Sequence, residues 1–348
     1  MFPSISGAVD CVGAAGTQAQ SSSAADLGNK DSLAKIRVIV PVRNGGARWR
    51  EAARALQVAV PDPLHVVVID SSSSDGSDLV AKDCGFEFTQ IDPRTFNHGA
   101  TRQWAVERFC RDAEIAIFLT HDAIVDGPDS IFQLVASFVD PAVGASYGRQ
   151  VPHAGAGPFE AHMALFNYDA SSETRSLSDA ASRGIKTAYI SNSFAAYRLS
   201  ALHACGGFPS ELILGEDTCL AVKMLLAGWK IRYSARARVR HSHSYTVRQE
   251  MQRYFDFGVM HTQLPELMRH FGAAEGEGMR FVSAELRYFI ANAPWCLPLV
   301  PIRNAARYAG YRMGRIFKWL PLRVCRRLSM TKVFWESFRE GKSSYKRS

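Results

Sequence analysis

Three short runs of apolar, β-branched residues mark the first third of the chain: Ile36 to Val42 (IRVIVPV), Leu64 to Asp70 (LHVVVID) and Ile115 to Thr120 (IAIFLT). Between them the apolar positions recur at helical spacing, as over Ala47 to Val58 and Ala100 to Cys110. Runs of this kind are buried on both faces, and their alternation with helices predicts an α/β fold with a parallel sheet and crossover helices. Further on, Thr218 to Ala227 reads as a helix that stops at Gly228 before a strand-like Lys230 to Tyr233. The run Phe289 to Ile302 is apolar but carries Pro294, Pro298 and Pro301. It falls short of the about 20 residues that cross a bilayer, so a packed or dipping segment is expected. No internal repeat is evident.

The residues just past each strand carry the chemistry, because open parallel sheets bind ligands beyond the carboxyl ends of their strands. The first strand exits into Arg43-Asn44, the second into Asp70 and the run Ser71 to Gly76, and the third into His121-Asp122. A parallel sheet gathers these three polar exits on one edge. Two common phosphate loops are excluded. There is no Gly-x-x-x-x-Gly-Lys-Ser/Thr, and Gly155-x-Gly157 lacks both a third glycine and a preceding strand. What remains is two separated carboxylates, Asp70 and Asp122, flanked by Arg43 and Arg102. One acid can accept the imide hydrogen of a pyrimidine, a second can hold a divalent cation, and arginine can neutralise a diphosphate. Those parts make up a site for a nucleoside-diphosphate sugar.

Composition narrows the class. At 348 residues the chain can build one large α/β unit and a smaller appendage. Its 47% hydrophobic and 21% charged content, with a mean hydropathy of -0.10, describe a core-forming protein and not a polytopic membrane protein. The seven cysteines are odd in number and form no Cys-x-x-Cys pair, which argues against a disulfide framework or zinc knuckle and for a reducing compartment. The first residues are rich in Ala, Ser and Gly, with neither a basic start nor an apolar core, and read as a loose tail and not an export signal, so a cytoplasmic protein is expected. The net charge of +8 is uneven: Arg303 to Ser348 carries 13 Lys or Arg against 2 acids, a net of +11, which leaves -3 for the rest. With Tyr311, Phe317 and Trp319 among its cations, this segment suits an anionic lipid surface or an ordinary solvated basic helix, and nucleic acid less well.

The strings VIVPVRN, VIDSSSSDGS, FNHGATRQ, FLTHDA and GEDTCLAVKMLLAGWKI, in that order, resemble the family-2 glycosyltransferases of GT-A fold. FNHGATRQ in particular is similar to bacterial rhamnosyltransferases. The resemblance spans Ile36 to His243 and extends more loosely through YFDFGVMH, GEGMRFVSAEL and LSMTKVFWE. It implies a mixed, mostly parallel sheet with flanking helices plus a C-terminal helical appendage. The expected division is a tail over 1–34, a catalytic GT-A domain over 35–245 and a basic helical region over 246–348.

The resemblance also assigns roles. Asp70 contacts the nucleobase, with Pro41 and Arg43 beside it, while Asp75 suits a turn or helix cap better. Gly99 opens a helix whose free N–H groups favour an anion, and Arg102 lies one turn in, although pairing with an acid is open to it too. His98 touches the nucleotide or caps the turn. His121-Asp122 occupies the place of the Asp-x-Asp metal motif with a histidine in place of an acid. Asp122 is then the main ligand of Mg or Mn, and His243, from the run His241 to His243, can complete the shell. Asp217 is the general base beside Glu216, although two acids at a helix start also serve as dipole partners. Phe208 to Leu214 would form the acceptor side, Trp229 is as readily core, and the role of Asn192-Ser193-Phe194 stays open. A single base near the acceptor implies inversion.

The substrates implied are dTDP-β-L-rhamnose as favoured donor and a glycan or polyprenyl-diphosphate-linked acceptor, in surface polysaccharide assembly (O-antigen or capsule). The place implied is the cytoplasmic face of the inner membrane, with peripheral contact through the basic segment and no nucleic acid partner. A same-fold enzyme using a UDP-hexose and a non-catalytic nucleotide-sugar-binding protein are the rival readings.

Overall fold

The computed structural model describes residues 35–272 and 275–339, so the expected tail over 1–34 lies outside the described residues. Strands β1 (Ile36–Val42), β2 (Val66–Asp70), β3 (Glu87–Gln90) and β4 (Ile115–Leu119) pair in parallel in the order β3-β2-β1-β4. Successive residues of β1 face opposite sides: Ile39 joins one apolar cluster, while Val38 and Val40 join the other. Helices α1 (Gly46–Ala59), α2 (Ser77–Asp83) and α3 (His98–Phe109) are the crossovers that the spacing predicts.

The second half of the sheet departs from a purely parallel plan. After β5 (Ile124–Val125) and α4 (Ser130–Val135) comes the long β6 (Val143–Val151), followed by α5 (Pro158–Asn167), β7 (Glu173–Arg175) and α6 (Ala180–Arg183). Strand β8 (Phe194–Arg198) inserts between β4 and β6 and is antiparallel to both. After α7 (Leu199–Ala204) and α8 (Glu216–Leu226), β9 (Lys230–Arg240) pairs in parallel with β6 and antiparallel with β5 and β7. The result is the mixed, mostly parallel sheet with flanking helices that the GT-A resemblance implies. Strand β9 outruns the expected Lys230 to Tyr233 by seven residues. Its continuation, SARARVR, alternates small or apolar residues inward with arginines outward, the period-2 signature of a half-buried strand.

The remaining elements are helical: α9 (Val247–Gln263), α10 (Pro265–Phe271), α11 (Glu275–Asn292), α12 (Leu299–Arg315), α13 (Leu322–Leu328) and α14 (Lys332–Arg339). Helix α9 opens with a reciprocal capping box between Thr246 and Gln249. Helices α9 and α12 meet backbone to backbone. A Cβ on Gly258 would strike the Tyr311 carbonyl, one on Gly310 the Met251 carbonyl, and one on Gly314 the Phe255 carbonyl. A buried charge network fixes the same contact, with Arg307 at 2.7 Å from Glu250 and 2.8 Å from Glu285. Each partner satisfies the other, since any one left alone would be a buried, uncompensated charge. The run Phe289 to Ile302 comprises the end of α11, one 3-10 turn and the start of α12, with one side closed on its own small cluster of Phe289, Ala293, Cys296 and Val300 and the other exposed.

Candidate active site

The exits of β1 and β2 lie level, with Val42 opposite Asp70 and the Ser71 N–H bonded to the Val42 carbonyl at 2.9 Å. The serine-rich run after β2 stitches the two loops together. Asn44, in the left-handed region at φ 48°, donates its N–H to Ser73 Oγ at 2.9 Å and accepts from the Ser74 N–H at 2.9 Å. Asp75 accepts from the Gly46 N–H at 2.8 Å, and Ser77 Oγ from the Gly45 N–H at 3.0 Å, so this loop supplies the cap that α1 lacks. Asp70 is fully buried and accepts from both the N–H and the hydroxyl of Ser73. The cavity wall beside it is formed by Pro41, Val42, Arg43 and Ser71. Asp70 thus holds the shape of this wall from behind.

On the β4 exit, Asp122 meets two histidines from the end of β9. His241 Nε2 is 3.4 Å and His243 Nδ1 3.7 Å from its carboxylate, and one ligand atom from each of the three residues lies within 4.8 Å of the others. Gln150 on β6 donates its amide N–H to Ser191 Oγ at 3.0 Å, which turns its carbonyl toward His241 Nδ1 at 2.8 Å. His241 thus gives one ring nitrogen to Gln150, and the other, the buried Nε2, faces the Asp122 carboxylate. Two imidazole nitrogens turned toward one carboxylate are held there by a shared proton or by a cation between them. This donor set, two imidazoles and one carboxylate with a polar residue orienting one imidazole, can hold a divalent cation such as Mn or Mg. His121 borders the same cavity beside Asp122.

The third group sits at the start of α8. Glu216 is buried and paired with Arg102 of α3 at 2.9 Å, and it accepts from the Asn192 side chain at 3.0 Å. Burial raises the Glu216 carboxyl, but the Arg102 charge, His98 and the bond from Asn192 together outweigh it and hold the group below its ordinary value. Next to it, Asp217 accepts from the Asn192 N–H at 3.1 Å and the Thr218 N–H at 2.7 Å. Burial, followed by the Glu216 charge, pushes its carboxyl up to about 7. Asn192 is held in turn by the buried Tyr197 hydroxyl at 2.8 Å. The stretch whose role the sequence left open thus orients both acids.

Several expectations are corrected here. Arg102, expected to face a diphosphate, borders the cavity with its charge already matched by Glu216, and Glu216 is correspondingly a partner of Arg102 and not a free catalytic acid. The first turn of α3 offers no open N–H pair, because Asn97 Oδ1 accepts from Gly99 at 3.0 Å and Ala100 at 2.9 Å. Gly99 is needed for another reason: a Cβ there would collide with the Pro209 carbonyl. The cap is Asn97, while His98 lines the cavity, its imidazole pushed down by burial. Phe208 is core, packed edge-on to Phe118 and Tyr197, and the acceptor-side stretch reaches the cavity only at Leu214. Trp229 packs partly buried against the same core.

All of this opens into one cavity of about 1320 Å³. Asp122, His241 and His243 line it, as does Asp217, together with residues of α5, α9, α11 and α12. Its cations divide sharply. Lys186 is matched by Glu277 at 2.7 Å, Arg303 by Glu250 at 2.9 Å, and Arg102 and Arg307 as above. Arg43 and Arg253 line the cavity with no carboxylate partner among the described residues. Arg253 sits over the Tyr245 ring at 5.9 Å, and that ring stacks on His243 at 5.5 Å, which places the cation beside the histidine wall. Sequence reading missed Arg253 and Gln150 and left the role of Asn192 open. It found His241 only as one end of a run, although the alternation of β9 continued by three residues puts His241 and His243 on one side.

A family model described as glycosyl transferase family group 2 matches residues 117–255. The chain is 43% identical over 310 residues to "O-antigen chain rhamnosyltransferase RfbN" of Salmonella typhimurium, covering 89% of this chain and 98% of that protein. It is 42% identical to "O-antigen chain rhamnosyltransferase WbaN" of Salmonella anatum, over 88% of this chain and 97% of that one. Among solved structures, a mannosyltransferase from Pyrobaculum calidifontis, in complex with GDP-Man and Mn2+, superposes with a TM-score of 0.49 at 20% identity, covering 88% of this chain and 86% of that one. Identity above 40% along nearly the full length of two relatives decides membership: the chain belongs to family group 2 of the glycosyl transferases and is a glycosyltransferase.

Proposed function

We propose that this glycosyltransferase moves L-rhamnose from dTDP-β-L-rhamnose to a polyprenyl-diphosphate-linked glycan of O-antigen type, with inversion, at the cytoplasmic face of the inner membrane. The observation that carries the transfer chemistry is Asp217: a carboxylate pushed up to about 7 that lines the same cavity as a three-donor cation site. A base poised near the working pH balances availability against proton affinity. Asp217 takes the proton of the acceptor hydroxyl, the hydroxyl oxygen forms its bond to the anomeric carbon, and the bond to the diphosphate breaks with its electron pair leaving on the diphosphate. Asp122, His241 and His243 would hold the divalent cation, which neutralises the charge that grows on the leaving group. Arg43 and Arg253 are the uncommitted cations for that charge, in the role expected of Arg102.

The nucleoside end is read at Pro41, Arg43 and Ser71, with Asp70 behind them, and His98 and His121 border the donor. The catalytic unit is residues 35–245, with the helices beyond it closing the acceptor side. Support for rhamnose and for an O-antigen acceptor comes from the names of the two Salmonella relatives.

A panel of nucleotide sugars, assayed for cation-dependent turnover with the wild type, Asp217→Ala and Asp122→Ala, tests the reading. dTDP-rhamnose is consumed by the wild type, and both variants fold but lose turnover. Consumption of a UDP-hexose in place of dTDP-rhamnose sinks the donor assignment and leaves the chemistry standing.

A further inference from the structure

The region from Gly278 to Trp335 holds eleven Lys or Arg and a single acid, Glu285. Glu285 is fully buried against Arg307, so no carboxylate from this stretch reaches the surface. The same surface is unusually apolar. Met279, Leu286 and Ile290 recur at helical spacing along the outside of α11, with Ile290 65% exposed. Trp295, 72% exposed, stands at the turn between α11 and α12, and Leu299 and Ile302 continue the stripe onto α12. Arg280 and Arg287 flank the stripe on α11, and Arg312 lies on the exposed side of α12. Beneath it, the Phe289 cluster holds the turn as a preformed edge.

An apolar ridge bordered mainly by cations, with Glu277 at the start of α11 taken up by Lys186 and Arg280, is complementary to one kind of surface, an anionic bilayer, where the apolar side chains enter the headgroup boundary and the arginines meet lipid phosphate. A polyanion such as nucleic acid would match the arginines but leave Ile290, Trp295 and Leu299 in water. The ridge is also continuous with the active-site cavity: Met279 and Tyr308 are largely exposed and at the same time line that cavity. Among the described residues no helix is long and apolar enough to cross a membrane, so the contact lies on the surface.

We infer that the α11–α12 hairpin, with Trp295 at its tip, is a monotopic membrane edge that rests on anionic lipid and opens the cavity toward the bilayer. This deepens the reading of a membrane-presented acceptor and rests on it only for its purpose.

The test uses the full chain without donor or acceptor, so a wrong donor assignment cannot mimic its failure. Co-sedimentation with phosphatidylglycerol–phosphatidylcholine vesicles should far exceed that with phosphatidylcholine alone. The double variant Ile290→Ser/Trp295→Ser should lose about tenfold or more in vesicle affinity, since it removes two large apolar side chains from the contact. Its melting temperature should match the wild type. Bromolipid quenching should reach a tryptophan in the wild type and weaken in Trp295→Phe, a variant with no reason to unfold. Equal vesicle binding by wild type and double variant overturns the proposal. So does absence of vesicle binding together with tight oligonucleotide binding, or a dimer that the double variant abolishes.

Discussion

Two stretches of one cavity lining carry an aspartate each, and they treat it in opposite ways. At Asp122 burial favours the neutral acid, yet His241, His243 and His121 around it win and hold it far below the usual carboxylate range. At Asp217 burial works in the same direction, and the nearest charge is the like charge of Glu216, so the carboxyl climbs to about 7. One side chain type thus yields a permanent anion and a carboxyl that titrates near neutral pH, and the neighbours alone decide which. Glu216 supplies the like charge that raises Asp217, while Arg102 offsets the cost of its burial.

The harshest way to break this contrast is Asp217→Asn. We expect kcat to fall about 10³-fold with donor binding retained, because only the proton acceptor is lost. Retention of more than a tenth of the activity would remove Asp217 from its role. Less severe is Gln150→Leu, which frees the His241 ring from its orienting bond. Mn affinity, read by calorimetry, should weaken about 10- to 100-fold, as losses of such supporting bonds do elsewhere, while the melting temperature stays put. Unchanged affinity would mean that the histidine wall is not a cation site. The gentlest test is Glu216→Gln. The base works deprotonated, so kcat/KM should rise with pH through about 7 in the wild type. Removing the adjacent negative charge eases deprotonation of Asp217, and the rising limb should move to lower pH, with a gain in activity at pH 6 relative to pH 8. A shift to higher pH would show that Glu216 acts on Asp217 otherwise than by its charge.

Much of the fold is legible in the chain itself, for physical reasons. The runs IRVIVPV, VVVID and IAIFL are buried on both faces, so their composition alone marks them as central strands and their exits as an edge. Hidden from the sequence is which polar residue satisfies which. Arg102 and Glu216 lie 114 positions apart, and nothing local distinguishes a phosphate-binding arginine from one matched across two helices. The serine run reads as a ligand loop but is taken up by Asn44, Gly45 and Asp70, because the start of α1 has no cap of its own. Gly99 reads as an anion nest, yet it is there to let α3 approach Pro209. Arg253 stands out only once Lys186, Arg102, Arg303 and Arg307 have been assigned their acids.

The glycine contacts between α9 and α12 carry one last implication. With Gly258, Gly310 and Gly314 pressing main chain against main chain, neither helix can roll or slide over the other without collision. Arg253 on α9 and the Trp295 edge leading into α12 therefore belong to one stiff piece. If that edge rests on lipid as inferred above, the height of the reaction centre above the bilayer would be a built-in constant, and so would the distance along a membrane-tethered chain at which its next sugar is placed.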